Sequence, residues 1–330
     1  MKIIRAFLCI CIMSFIMGCA PKKALNDSGP IFLADPTIFL HQDTYYLYGT
    51  TGNAEQHDQG GFLVYTSKDL DTWEGPAGMK DGLALKEGDA FGDKGFWAPQ
   101  IFEYQKRFYM AYTANEQIAI AVSNSPYGPF VNPSRQAISS PLRQIDPFVF
   151  IDEDGRKYLY HVRLDQGNRI FVAELNEDLK GIKEETLKEC LSAQLTWENR
   201  QEAAWPVAEG PTVLKHKGIY YMLYSANDFR SPDYAVGFAT SQSPLGPWKK
   251  SNRNPIIHRS IIPHNGTGHG DVVVAKDNDL YYVLHTHFND TLVQPRRTAL
   301  IRINFANNGE GPDYLEIDTQ SFRFLETSGN

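Results

Sequence analysis

Three acidic residues in this chain stand in like surroundings: Asp35 in ADPTIF (34–39), Asp146 in IDPFVF (145–150) and Glu209 in AEGPTV (208–213). Each lies one or two residues before a proline and opens a short apolar run. A single acid in that setting is ordinarily a turn former whose carboxylate takes nearby backbone N–H groups. Three brought together would raise one another's pKa, so that one carboxyl keeps its proton while another is ionised. That division suits general acid–base work. Three carboxylates could instead hold Ca²⁺, but these come singly on strand-like segments, without the dense oxygen ligands of a calcium loop.

The elements that would bring them together are legible as a repeat. ADPTIFLHQDTYYLYGT begins at 34, WAPQIFEYQKRFYMAYTA at 97 and IDPFVFIDEDGRKYLYHV at 145; EGPTVLKHKGIYYMLYSAN begins at 209 and HGDVVVAKDNDLYYVLHTH at 269. Each is a short apolar strand, a polar turn and an aromatic-rich alternating strand, the pattern of a hairpin. Aligning Asp35, Ala98, Asp146, Gly210 and Gly270 gives steps of 63, 48, 64 and 60 residues. A second half completes each unit, and SNSPYGPF and SQSPLGPW are nearly the same phrase. Five such units with almost no helical periodicity predict an all-β, five-bladed β-propeller with about four antiparallel strands per blade. A β-sandwich would not repeat a hairpin at this period. Only 183–203 offers a helical turn or long insertion.

In a propeller the first strand of every blade lines the central axis. Asp35, Asp146 and Glu209 should therefore face one cavity. An acid and a base opposed across a pocket are what hydrolysis of a glycosidic bond requires. With these motifs the sequence resembles the family 43 glycoside hydrolases, from ADPTIF to PRRTALIRINF. The resemblance implies Asp35 as general base, Asp146 as the group that tunes and orients the acid, and Glu209 as general acid. FWAP matches a second-blade motif and places Trp97 and Ala98 in the wall of the sugar pocket. GTGHGDV places His269 at the channel, and Arg296, or else its neighbour Arg297, matches a substrate-contacting arginine.

The activity implied is inverting, exo-acting hydrolysis of plant polysaccharide side chains or oligosaccharides. An α-L-arabinofuranosidase is expected first, and a β-D-xylosidase second. Endo-arabinanase and exo-galactanase come after these, and a non-catalytic carbohydrate-binding propeller is the rival class. No cofactor is expected to be required, and the resemblance allows a structural Ca²⁺ or Na⁺ ion in the channel near His269.

His264, His269, His285 and His287 cluster late in the chain. No cysteine completes a zinc ligand set, so apart from His269 they read as pocket or surface residues. His269 stands in its unit where Glu209 stands in its own. Trp197 and Trp205 either stack on the leaving group or pin the insertion to its blade. The pairs Tyr45-Tyr46, Tyr220-Tyr221 and Tyr281-Tyr282 recur at one place in the repeat and read as packing between blades.

The beginning of the chain is different in kind. Residues 6–18 form an apolar run behind Lys2 and Arg5, ending at IMGC, of signal-peptide length and too short to span a bilayer. It resembles a bacterial lipobox. Residues 1–19 then form a lipoprotein signal ending at the lipidated Cys19, 20–30 a tether, and 31–330 one catalytic propeller. The protein would be exported and lipid-anchored in the cell envelope, touching membrane through that lipid alone. Of four cysteines, Cys9 and Cys11 leave with the signal and Cys19 takes lipid, so Cys190 has no disulfide partner. Formal charge is −7 with no basic run, which argues against nucleic acid as a partner and leaves arabinose- or xylose-containing glycans.

Overall fold

The computed structural model describes residues 28–51, 60–307, 309 and 311–328. The signal segment, Cys19 and most of the tether lie outside them. Five inner strands, Ala34–His41, Trp97–Tyr104, Gln144–Ile151, Ala208–His216 and Gly268–Val274, each touch the next, and the last touches the first. This closed ring is the wall of a central channel, and each inner strand begins one antiparallel blade. The architecture is a five-bladed β-propeller.

Blades 3, 4 and 5 have four strands each, as the repeat predicts. Blade 2 departs from it: three strands end at Gln117–Ser123, and beyond them the edge carries only an isolated bridge between Val122 and Val131. Blade 1 is larger. Its outer edge takes Glu326–Thr327, which lies parallel to Trp73–Glu74 and pairs with Gly29–Pro30. The two ends of the described chain thus close the ring. The segment 183–203 resolves into a 3₁₀ turn at Glu184–Thr186 and the strand Lys188–Leu191, which is the fourth strand of blade 3. Only residues 192–203 remain as an insertion.

Five apolar clusters fill the five blade interfaces. Alternation along the second strand of each hairpin explains this, because successive side chains point to opposite faces of the blade. Tyr45 and Leu47 face blade 5, whereas Tyr46 and Tyr48 face blade 2. Tyr221 and Tyr282 share the interface of blades 4 and 5, and Tyr220 meets Phe150 of blade 3. The tyrosine pairs are packing residues. Leu47 is fully buried, and Leu47→Ala would cost about 2–5 kcal/mol through lost burial and the cavity left behind.

Candidate active site

Every inner strand breaks its pairing near its start. The register shifts between Ala34 and Thr37, Trp97 and Gln100, Ile145 and Phe148, Glu209 and Thr212, and Gly268 and Gly270. At each break one residue has a left-handed backbone: Asp35 (φ 47°), Ala98 (44°), Asp146 (56°), Gly210 (58°) and His269 (39°). A β-bulge of this kind re-aims a side chain and bends the strand. Asp tolerates the left-handed region better than most residues, which suits the two aspartates to the position. The bulges also correct the sequence alignment. His269, not Gly270, is the equivalent of Asp35, and Glu209 stands one residue earlier, level with Trp97.

Each bulge leaves a backbone N–H that needs an acceptor, and the preceding blade supplies one. Ala98 N–H donates to Thr50 Oγ1 (2.9 Å), Asp146 N–H to Thr113 Oγ1 (3.0 Å), His269 N–H to Ser225 Oγ (2.8 Å) and Asp35 N–H to His285 Nδ1 (3.1 Å). Thr50, Thr113, Ser225 and His285 hold the same register place on their second strands. In blade 3 that place is Val162, which cannot accept. There Gly210 N–H turns to the Asp146 carboxylate, reaching Oδ2 at 3.2 Å. Asp146 is thereby bonded to the residue next to Glu209.

Asp35 is held as an anion. Its Oδ1 accepts from Arg296 Nη1 at 3.0 Å and its Oδ2 from Thr50 Oγ1 at 2.6 Å, with His269 Nδ1 3.3 Å from Oδ1. Burial opposes ionisation, but the guanidinium, the two imidazoles and the Thr50 hydroxyl hold the carboxyl well below the usual range. Burial also drives His285 well below its ordinary value. Its Nδ1 faces the Asp35 amide N–H at 3.1 Å and its Nε2 lies 3.4 Å from Arg296 Nη1.

Glu209 is shifted the other way. Burial, reinforced by the negative charge of Asp35 and Asp228, pushes its carboxyl up to about 7, against hydrogen bonds from Tyr234 and Asn168. Tyr234 Oη donates to Oε1 at 2.8 Å and Asn168 Nδ2 to Oε2 at 2.7 Å. Burial, with the charges of Glu209 and Asp35, also raises Asp146 well above the carboxylate range. The three acids therefore comprise one carboxyl held low and two pushed up, of which Glu209 reaches about 7.

They open on a cavity of about 480 Å³, lined also by Trp97, Trp205, Arg296, Asp228 and Phe229. Trp97 stands in its wall. Ala98 does not: it is buried and lines the narrow channel beneath, of about 20 Å³; Asp35, Asp146 and His269 at the same bulge position line both spaces, and the methyl of alanine is too short to reach the upper one. The two insertion tryptophans divide. Trp197 is half-buried against Tyr224 at 5.9 Å, and its carbonyl accepts from Asn227 Nδ2. Buried Glu198 accepts from Gln194 and Leu195 N–H, Tyr224 and Lys250 and fixes the insertion. Trp205 stands exposed at the cavity rim. Arg296 faces the cavity, whereas Arg297 stacks on Phe324 at 3.3 Å.

Asn168, Tyr234, Thr50 and His285 were not singled out by sequence as parts of the acid site. A signal existed for two of them. The residues closing the five aromatic strands read Thr50, Thr113, Val162, Ser225 and His285, polar in every unit but one. Asn168 and Tyr234 have no counterpart in the repeat. Among the described residues no group of three or more His, Cys, Asp or Glu side chains is placed to hold a metal ion.

The channel mouth of this propeller thus carries one carboxyl held low and two pushed up, an arrangement suited to acid–base chemistry. Comparison with known proteins gives the family. The model for "Glycosyl hydrolases family 43" matches residues 28–310, and the chain belongs to that family. It is 28% identical over 306 residues to a β-D-galactofuranosidase of Aspergillus niger, covering 87% of this chain and 84% of that one. It is also 28% identical to the xylosidase/arabinosidase 43A of Humicola insolens, covering 76% and 90%. A crystal structure named as an endo-1,4-β-xylanase of Bacteroides thetaiotaomicron superposes with a TM-score of 0.82 at 36% identity, covering 92% of this chain and 99% of that one.

Proposed function

We propose that the protein is an inverting, exo-acting glycosidase that removes terminal α-L-arabinofuranosyl groups from plant polysaccharide side chains or oligosaccharides. The carrying observation is the opposite displacement of two carboxyls on one cavity: Asp35 ionised, Glu209 protonated up to about pH 7. In this reading Glu209 gives its proton to the departing glycosidic oxygen while Asp35 takes a proton from water attacking the opposite face of the sugar. Inversion by this route needs the two carboxyls about 6.5–9.5 Å apart, with room for the water. Arg296 keeps Asp35 ionised, and Trp97 and Trp205 offer aromatic faces to sugar and leaving group. A β-D-xyloside is the second reading, supported by the relative named for both xylosidase and arabinosidase activity.

The test is turnover of 4-nitrophenyl α-L-arabinofuranoside, β-D-xylopyranoside and β-D-galactofuranoside, with the released anomer followed by proton NMR. Loss of turnover in Glu209→Gln and Asp35→Asn, with the inverted anomer released first by the wild type, supports the assignment. A retained anomer, or near-native turnover in Glu209→Gln, overturns it. We further propose anchoring through lipid on Cys19, in which case Cys19→Ala moves the protein out of the membrane fraction.

A further inference from the structure

The acid Glu209 shares one neighbour with the cavity rim. Asn168 begins the third strand of blade 3, Asn168–Glu174, and its backbone N–H donates to Pro206 O at 2.9 Å. This bond staples the strand to the segment carrying Trp205. The Asn168 side chain then makes two bonds of opposite sense: Trp205 Nε1 donates to Oδ1 at 2.8 Å, and Nδ2 donates to Glu209 Oε2 at 2.7 Å. We propose that Asn168 is a positioning residue for Glu209 whose amide orientation is dictated by Trp205, so that the exposed aromatic at the rim is wired through one side chain to the carboxyl that protonates the leaving group. This rests on the reading of Glu209 as the acid.

Hydrogen-bond inventories carry the argument. An indole N–H can only donate, so it selects the amide oxygen of Asn168 and leaves the NH₂ to face Glu209. An amide N–H can also only donate. It therefore stabilises the carboxylate over the carboxylic acid and, with Tyr234 on Oε1, fixes the plane of the group. Without the indole N–H the amide is free to turn over, presenting its carbonyl to Oε2, which favours the protonated form instead. Other charged or titratable groups that act on Glu209 or share its cavity are Asp35, Asp146 and Asp228 as acids, Arg230 and Arg296 as cations, and His269. None of these bonds to Asn168, so its effect is separable from theirs. Trp205 lies at the rim, where a leaving group would stack, and such stacking would press on the one residue that sets the amide.

The test uses the full-length protein, with side-chain ¹³C-glutamate NMR titration of Glu209, assigned through Glu209→Gln, beside pH profiles of kcat/KM. Asn168→Ala is expected to raise both the Glu209 titration and the alkaline limb of the profile by about one pH unit, the shift that losing a hydrogen bond to a charged group produces. Trp205→Phe keeps the aromatic face and the fold and should move both in the same direction by less. In the Asn168→Ala background, Trp205→Phe should add nothing. An unmoved titration in Asn168→Ala, or a Trp205→Phe shift that persists without Asn168, overturns the proposal. A titration that moves while the rate limb stays supports the relay and removes Glu209 from the role of acid, which separates the two ideas.

Discussion

Thr50 does two jobs with one hydroxyl: it donates to Asp35 Oδ2 at 2.6 Å and accepts from Ala98 N–H at 2.9 Å. Thr50→Val keeps the shape and removes both. Losing a hydrogen bond to a charged group costs about 1.5–3 kcal/mol, and leaving a buried N–H without an acceptor about 1–3 more. The expected destabilisation is therefore about 2.5–6 kcal/mol at pH 7, read from urea unfolding, while Thr50→Ser should stay within about 1 kcal/mol. The pH dependence comes from Asp35, whose folded pKa lies below its unfolded value of about 3.9. Its contribution is complete above that pH and is lost as pH falls through the folded value. Thr50→Val raises the folded value, so its deficit against wild type should be constant above about pH 4 and narrow below it. Equal stability of the Val and Ser variants at pH 7, or a deficit that widens as pH falls, would refute this account of how Asp35 is kept ionised.

If Glu209 is the acid, as proposed, the alkaline limb of kcat/KM should fall near pH 7, because its carboxyl is pushed up to about 7; activity is then present below that pH and lost above it, and a limb near pH 5 would contradict the burial argument. Gly210→Ala places a Cβ 2.7 Å from His269 Cδ2 at a left-handed φ of 58°, so it should lose about 1–2 kcal/mol of stability from the backbone alone and lower kcat by displacing His269 from Asp35. Val162→Thr restores the missing acceptor at the interface of blades 3 and 4. Added to Asp146→Ala, it should recover about 1 kcal/mol of unfolding free energy, the net worth of one hydrogen bond, and no recovery would undo the acceptor series.

The ring was legible because its causes are periodic. Aromatic strands recur where blades must pack, and a proline comes directly after the bulge residue in four units, Pro36, Pro99, Pro147 and Pro211. Where the period fails, the sequence misleads. Gly270 aligns by eye with Gly210, yet the fifth bulge has no proline and falls one residue earlier, at His269. The missing strand of blade 2 and the strand hidden in 183–203 share this cause, since outer strands are short and carry little alternation. Asn168 and Tyr234 were illegible for another reason. Asn168 reaches Glu209 from the start of a strand in blade 3 and Tyr234 from the residue before Ala235–Ser241, 41 and 25 residues away, and neither stands in a motif.

The exception in the acceptor series tells most about how a repeat acquires chemistry. Three of the five interfaces satisfy the bulge N–H with a hydroxyl, and a fourth with a ring nitrogen held neutral by burial. None of those acceptors changes charge near neutrality. At the remaining interface the acceptor is the Asp146 carboxyl, whose affinity for a backbone N–H depends on whether it carries a proton. That carboxyl responds to Glu209 and Asp35 alike. The backbone beside Glu209 is thus bonded directly to a carboxyl of the trio, whereas the Ala98 bulge reaches Asp35 only through the Thr50 hydroxyl. The place held by Thr50, Thr113, Ser225 and His285 elsewhere is held by Val162 at this one interface. It falls at the interface where Glu209 enters the channel.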